Sequence, residues 1–523
     1  MDLADHGAAS ALLGLEGLQV FEVEEADQNS TRAVHVLTTP GVPQLCPRCG
    51  TPARRSKERV CAVLRDIPAG QARIELRWHK QRWWCDNPDC PRKTFTEAVP
   101  QAGPGQRLTG RMRTAMAEAV GEQLRPVSEV ADTFGVAWHS THNAFAAHAE
   151  AVLGASGCEP SEDGHAPDPD PDPDSCGPDG PDPDGPHGPE PDDRPCGGLT
   201  PDAWPAEPAG VAWASQQQAE ALPPVSALGI DDTRRGRRRL RRDPDTGAWT
   251  VLADQWQTGF VDIGGRAGLL GQTPGRTGRD VIRWLARQPK RWREAVKVVA
   301  IDMSGTYRNG VRAALPHADI AVDPFHIVQA ANKMLATVRR KETTRRYHRR
   351  GRSGDPEYAV KGLLMRNKED LTPTAAAKLW NTLLDTGATG EPILAAYIAK
   401  EKIRDVLALS PTRTGITPAD SQIRHRLTDF FEWCANYDNV PEITTFAKTI
   451  SNWRHELATA VRTGVSNSTS EGTNRIVKLV ARIASGFRNP VNQRRRVRYV
   501  ATRASRRDRP HPVTNQQSLQ VIT

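Results

Sequence analysis

Nowhere in the 523 residues is there an apolar run approaching the roughly 18 to 20 residues that a membrane-spanning helix needs. Hydrophobic residues make up only 38% and mean hydropathy is −0.57, which excludes a membrane-embedded chain. The start, MDLADHGAASALLGLEGLQVF, lacks a basic segment and places Glu16 where a signal peptide needs apolar residues, so export by that route is not expected. Cysteine is sparse and mostly scattered: of nine, only four are paired along the chain, which fits a reducing compartment and metal binding and argues against a disulfide scaffold. Outside one segment the sequence is also short of negative charge. Residues 159–194 hold 13 acidic residues and one arginine, so an overall +8 leaves +20 on the remainder, a field suited to a polyanion such as nucleic acid.

The chain is too long for one core, and at about 150 residues per domain it should contain three or four units. The clearest boundary is the Pro/Asp alternation APDPDPDPDSCGPDGPDPDGPHGPEPDD, which removes backbone donors and supplies no apolar surface. It predicts a disordered acidic linker over 156–222, and Cys158, Cys176 and Cys196 beside it are too irregularly spaced to be ligands. Before it, period-two stretches such as LQVFEVEE, AVHVLTT and ARIELRWHKQRWWC predict a β unit over 1–100, and helical periodicity predicts a second unit over 101–155. After it, VSALGID, AWTVLAD and TGFVDIG predict three meander strands, followed by the helix GRDVIRWLARQ and the strands VKVVAID and DIAVD, so that 223–326 reads as α/β. Residues 327–465 carry only helical spacing, a helical insertion, and 466–490 return one more helix. Residues 491–523 read as a frayed basic tail.

Cys46-Pro-Arg-Cys49 and Cys85 to Cys90 are two knuckles, each able to offer two thiolates to one ion, and four thiolates suit a closed, structural Zn(II). Cys61 is the spare. In the next unit Val127, Val130, Ala131 and Phe134 form one apolar face and Gly135 fits a turn. Trp138 to Val152 then becomes the recognition helix of a helix-turn-helix, with His139, Ser140, His142 and Asn143 toward DNA.

Three acids occupy places where an RNase-H-like sheet presents metal ligands: Asp231 ending the first strand, Asp302 ending the fourth, and Glu471 opening the returning helix. Hard oxygen donors converging there suit Mg(II) or Mn(II) and phosphodiester chemistry. Asp323 and His326, in VDPFH, are supporting candidates, with the competing role of a strand-to-helix junction, and Asp254 and Asp262 read as turn residues. The arginines of RRGRRRLRR, among them Arg234, Arg235, Arg237 and Arg238, should decorate a hairpin beside this site. Arg475, Lys478 and Arg482 follow Glu471 along one helix face, and Arg339 to Arg352 and Arg494 to Arg509 are further tracts placed to meet DNA.

The knuckles, CAVLRDIPAGQARIELRWHKQRWWCDNPDCPRKTFTE, LGIDD, IDMSGTYRNGVRAALPHADIAVDPFHIVQAANKM, LLMRNKEDL and SNSTSEGTNRIVKLVARIASGFRNP together resemble bacterial insertion-sequence transposases of the ISL3 family, over nearly the whole chain except the linker. The resemblance implies a multidomain protein: zinc ribbon, helix-turn-helix, and an RNase-H-like α/β core with an all-α insertion. It also implies that Asp231, Asp302 and Glu471 are the metal-binding triad of the DDE class. The implied activity is binding of terminal inverted repeats, cleavage of double-stranded DNA and strand transfer by a homodimer or larger assembly at the bacterial nucleoid in the cytoplasm. The alternatives are a DNA-binding repressor with an inactive core and a nuclease without strand transfer. Two departures stand out: Asp231-Asp232 replaces the family's usual Asp-Glu, which opens the question of Asp232 substituting for Asp231, and Ser468-Thr469 replaces its usual Gly-Pro.

Overall fold

The computed structural model describes residues 9–153 and 222–507, apart from 27, 29, 42, 71 and 104. The expected acidic linker, but for Leu222, and residues 508–523 lie outside the described residues. Among the described residues no helix is long and apolar enough to cross a membrane.

The first sheet comprises β1 (Leu18–Val23), β2 (Thr31–Thr38), β3 (Ser56–Ala69), β4 (Ala72–Trp84) and β5 (Thr94–Thr96), in the order β1-β2-β4-β3 with β5 beside β4. Period-two alternation drives Ile74, Leu76 and Trp78 of β4 inward against Val34, Val36 and Leu64, so Trp78 is core. Three helices follow: α1 (Gly110–Gly121), α2 (Val127–Phe134) and α3 (Trp138–Leu153). Gly135, at φ 63°, ends α2 in the left-handed conformation that turns the chain into α3. Buried Asp66 of β3 accepts from Thr109 Oγ1 at 2.6 Å and from Arg111 Nε at 2.9 Å, which ties the sheet to the start of α1.

The second sheet is built from β6 (Ala227–Arg234), β9 (Trp256–Asp262), β10 (Leu269–Pro274), β11 (Val298–Ile301) and β12 (Asp319–Val322), in the order β10-β9-β6-β11-β12. The first three are antiparallel neighbours, and β11 runs parallel to both β6 and β12. The third meander strand is therefore β10, LLGQTP, and not the stretch AWTVLAD. That stretch forms β8 (Trp249–Ala253), which pairs with β7 (Arg239–Arg242) in a separate two-stranded hairpin. Asp262 is a turn residue, its carboxylate accepting from Gly264, Gly265 and Ala267 N–H groups.

Helices α4 (Gly278–Ala286), α5 (Lys290–Ala295) and α6 (Gly305–Ala314) connect the strands. From Asp323 onward the labelled elements are helical: α7 (Pro324–Tyr347), α8 (Pro373–Asp385), α9 (Gly390–Leu407), α10 (Asp420–Ala435), α11 (Pro441–Asn452) and α12 (Arg454–Thr463), with shorter helical turns between them. The buried α9 carries Ile393, Ala396, Ile403 and Val406 into the core, and buried Lys400 donates to the Leu364 and Arg366 carbonyls at 2.8 and 2.6 Å. In the arginine tract after 339, Arg346 pairs with Glu357 at 2.8 Å and Arg349 with Asp355 at 2.7 Å, while Arg340, Arg345, Arg350 and Arg352 are exposed.

The chain returns to the sheet as α13 (Ser468–Ile483), then α14 (Pro490–Ala501) and α15 (Arg503–Arg507). Residues 490–507 are thus helices and not a frayed tail. Val497 and Val500 pack with Val477 and Val480 of α13 on Val261 and Leu269, while Tyr499 is 1% exposed inside the three-helix unit. Burying a side chain of that size contributes about 2 kcal/mol. Gly121 permits the approach: a Cβ there would lie 2.4 Å from the Tyr499 ring. Arg496 donates to the Arg125 carbonyl at 2.8 Å and Arg506 pairs with Glu122 at 3.0 Å, so these arginines join units and do not face outward.

Candidate active site

The site begins with the register of β6. Leu228 and Ile230 point into the main core, so Gly229, Asp231 and Thr233 take the opposite face. Helix α13 covers that face so closely that a Cβ on Gly229 would lie 2.2 Å from Ser470 Oγ and 2.9 Å from Asn467 Oδ1. Asn474 Nδ2 donates to Asp231 Oδ2 at 2.7 Å, and its Oδ1 accepts from Thr233. Asn467 Nδ2 donates to Asp302 Oδ1 at 3.1 Å. Asn467, Glu471 and Asn474 are spaced by four and three residues, one helix face, so half-buried Glu471 stands between the two asparagines that hold the two aspartates.

A second contact set reaches Asp302 from α7. His326 Nε2 lies 3.2 Å from Asp302 Oδ2, and His326 Nδ1 lies 3.3 Å from Asp323 Oδ2. Asp323, 3% exposed, also occupies the N-cap of α7, so its supporting and junction roles coexist. Among the described residues the compact group of oxygen and nitrogen ligand atoms, all within 4.8 Å of one another, is Asp302, Asp323 and His326. Asp231 and Glu471 are not part of it. Asp232 faces away from α13, toward Arg276 and the Tyr307 hydroxyl, which is 2.8 Å from Thr258 Oγ1.

Burial, reinforced by the charge of Asp302, pushes the Asp231 carboxyl up to about 7. Burial also raises Asp302, against the opposing pull of His326 and Asn467. His326 is raised in turn, chiefly by its hydrogen bond to Asp323 and against the effect of burial. Half-buried carboxylates that repel one another lack positive charge, and hard oxygen donors at one sheet end are the set that Mg(II) or Mn(II) takes. The donors therefore fit such an ion.

The thiols form the other ligand group. Cys46, Cys49, Cys85 and Cys90 lie within 4.8 Å of one another, with Sγ–Sγ distances of 3.9 Å for Cys46 and Cys90 and 3.6 Å for Cys49 and Cys85. Four Zn–S bonds of about 2.3 Å imply tetrahedral edges of roughly 3.8 Å, so the cluster could hold zinc. Hydrogen bonds with Thr51 lower the Cys49 thiol to about 6, while burial pushes Cys85 up to about 12, and a dication would let all four ionise together. Cys61 is exposed on β3, outside the group.

Of the residues expected to meet DNA, His139 and Asn143 are exposed on α3, Ser140 is partly so, and His142 stacks on Trp138 at 4.8 Å and is half-buried toward Asn492 and Arg495. Arg475, Lys478 and Arg482 are exposed on α13. Arg237 and Arg238 are exposed, and Arg234 pairs with Asp254 at 3.1 Å. Arg235 is turned inward, donating to Gln493 at 2.8 Å and to the Phe487 and Arg488 carbonyls at 3.0 Å, so it fixes the hairpin base to the α14 region and is not free for DNA. Asn467 and Asn474 escaped the sequence reading, because their roles depend on how α13 seats on β6.

Two family models match the chain, one described as a transposase of the ISL3 type over residues 228–497 and one as the helix-turn-helix domain of transposase family ISL3 over residues 97–149. The transposase for insertion sequence element IS1001 of Bordetella parapertussis is 22% identical over 490 residues, 93% of this chain and 96% of that protein. The transposase for insertion sequence element IS1557 of Mycobacterium tuberculosis is 28% identical over 213 residues, 37% of this chain and 45% of that one. The Drosophila P element transposase strand transfer complex matches at a TM-score of 0.27 and 9% identity, covering 53% of this chain and 76% of that one, a likeness too slight to carry an argument.

Proposed function

The chain belongs to the ISL3 family of transposases, and from that premise we propose that it binds the terminal inverted repeats of an insertion sequence, cuts DNA there and joins the freed 3′ end to a target. The observation that carries this reading is the seating of α13, which brings Asn467 to Asp302 and Asn474 to Asp231 with Glu471 on the same face between them. We read the β10-β9-β6-β11-β12 sheet as RNase-H-like, with its acids at the strand ends.

Asp231, Asp302 and Glu471 would hold Mg(II) or Mn(II), which when bound supplies the charge that activates the attacking oxygen and stabilises the leaving one. The chain's own groups do the positioning. Asn474 and the Asp232 N–H orient the two oxygens of Asp231, and Asn467 and His326, the latter braced by Asp323, orient the two oxygens of Asp302. Arg475, Lys478 and Arg482 offer phosphate contacts along the same helix, while His139, Ser140 and Asn143 face a groove from α3. The four thiols would hold a structural zinc, and pairing two element ends calls for a homodimer or larger assembly.

The test is an assay on DNA from both sides of the gene, with Mg(II) and a target plasmid. Joined products are expected. Binding without cleavage would leave a repressor with an inactive core, and cleavage without joining, even from pre-cut ends, would leave a nuclease.

A further inference from the structure

Hairpin β7–β8 adds no strand to either larger sheet. Its register sets Leu240 opposite Val251 and Arg242 opposite Trp249, so these four share one face, with Arg241 and Thr250 on the other. Trp249 is 66% exposed, Val251 48% and Leu240 47%. A two-stranded hairpin is marginal by itself in water, and an exposed apolar face rimmed by cations marks an interaction surface. The base is nonetheless well held: Arg235 N donates to the Gln255 carbonyl at 2.8 Å, Arg234 pairs with Asp254, and Trp256 has Arg234 and Arg276 over its ring at 4.7 and 4.2 Å.

We propose that this hairpin is a β-ribbon that enters a groove of double-stranded DNA, pressing Trp249, Leu240 and Val251 onto a base step while its arginines hold the flanking phosphates. The proposal rests on the DNA-cutting reading and extends it. Charge selects DNA over a second copy of the chain: Arg237, Arg238, Arg239, Arg241 and Arg242 are all exposed here, and two hairpins face to face would bring like charges together. The turn carries two carboxylates, Asp243, kept ionised by the backbone N–H groups of Asp245 and Thr246, and Asp245, so the five arginines outnumber them. A two-stranded ribbon fits the major groove, and apolar wedges unstack base steps in bent DNA. Leu240 lies nine residues beyond Asp231. At about 3.3 Å per residue that is at most roughly 30 Å, so the hairpin face falls within about one turn of the duplex from the cut phosphodiester.

The experiment uses the full chain and labelled duplexes from the DNA flanking the gene on each side. A Leu240→Ser/Trp249→Ala/Val251→Ser variant should bind about tenfold more weakly at every salt concentration, with the salt slope unchanged. The permanganate-reactive thymines produced by the wild type, within about one turn of the cut, should disappear with it. Trp249→Ala alone should show part of both losses, which covers a triple variant that fails to fold. Arg238→Gln/Arg241→Gln should instead lower the salt slope by about 0.9 per lost contact. Wild-type affinity and permanganate pattern in the folded triple variant would overturn the proposal, as would a triple substitution that breaks up an assembly of the DNA-free protein, since the occupant would then be a second copy. A wild type that unstacks the duplex but never cuts it would defeat the cleavage reading and leave the hairpin's role standing.

Discussion

The four thiols of the N-terminal unit come from two short turns, each closed on itself, whereas the carboxylates of the second sheet come from strand ends and from a helix that follows them by 169 residues for Asp302 and 240 for Asp231. The thiol group is complete: four soft protein ligands at tetrahedral separations leave no place for a substrate. The carboxylate group has hard donors, a half-buried Glu471 and a proton balance displaced by burial and, after it, by repulsion. A closed tetrathiolate set suits a structural ion. An open set of oxygen donors suits ligand exchange, as the proposed function requires.

The sharpest separation between them should come from Asp302→Ala, which is expected to lower Mg(II)-dependent cleavage by about a thousandfold or more while DNA affinity holds, as read by cleavage and filter binding on the same duplex. Cys85→Ser should do the reverse. It should release zinc and destabilise the first unit by about 3 kcal/mol in denaturant melts, less than a finger with no other core would lose, because the Leu64, Leu76 and Trp78 cluster remains. Cleavage at saturating DNA should change little, and a Cys85→Ser protein that binds DNA but cannot cut it would erase the distinction.

These two sites were not equally legible in the sequence. The cysteine knuckles are local, and spacing alone finds them. Asp231 and Asp302 follow from strand ends, but Asn467 and Asn474 act only through the register of α13 on β6, about 240 residues away, which no local pattern encodes. The stretch AWTVLAD misled because its alternation is real yet belongs to an exposed hairpin, while the true third strand, LLGQTP, is short and interrupted by Gly271, which makes room for Trp284. Arg494 to Arg509 misled differently. Counting charges cannot show that Arg496 and Arg506 end on the Arg125 carbonyl and Glu122.

Smaller effects sharpen the carboxylate side. Asn474→Ala should lower cleavage about 10- to 100-fold, partly recovered at high Mg(II), because it frees Asp231 to rotate without removing a ligand. A loss that no metal concentration recovers would make Asn474 a fold residue only. The pH response should be smaller still. A carboxyl raised to about 7 stabilises the metal-free fold while protonated and loses that contribution as pH rises through 7. Since metal binding needs the ionised form, Mg(II) affinity should weaken by up to about tenfold per pH unit below 7, and its increment in Tm should grow from pH 6 to pH 8. A pH-independent increment would remove Asp231 from the ligand set.

If α13 delivers Glu471 to the two aspartates as a metal ligand, replacing its hard oxygen with a soft sulfur should change which metal supports cleavage. Glu471→Cys should be inactive in Mg(II) and recover cleavage in Mn(II), which accepts a thiolate more readily, while Asp323→Cys should show no such switch. If Glu471→Cys cuts at the wild-type rate in Mg(II), or if the metal switch appears at Asp323 instead, the ligand set is the compact Asp302, Asp323 and His326 group and the claim for Glu471 is wrong.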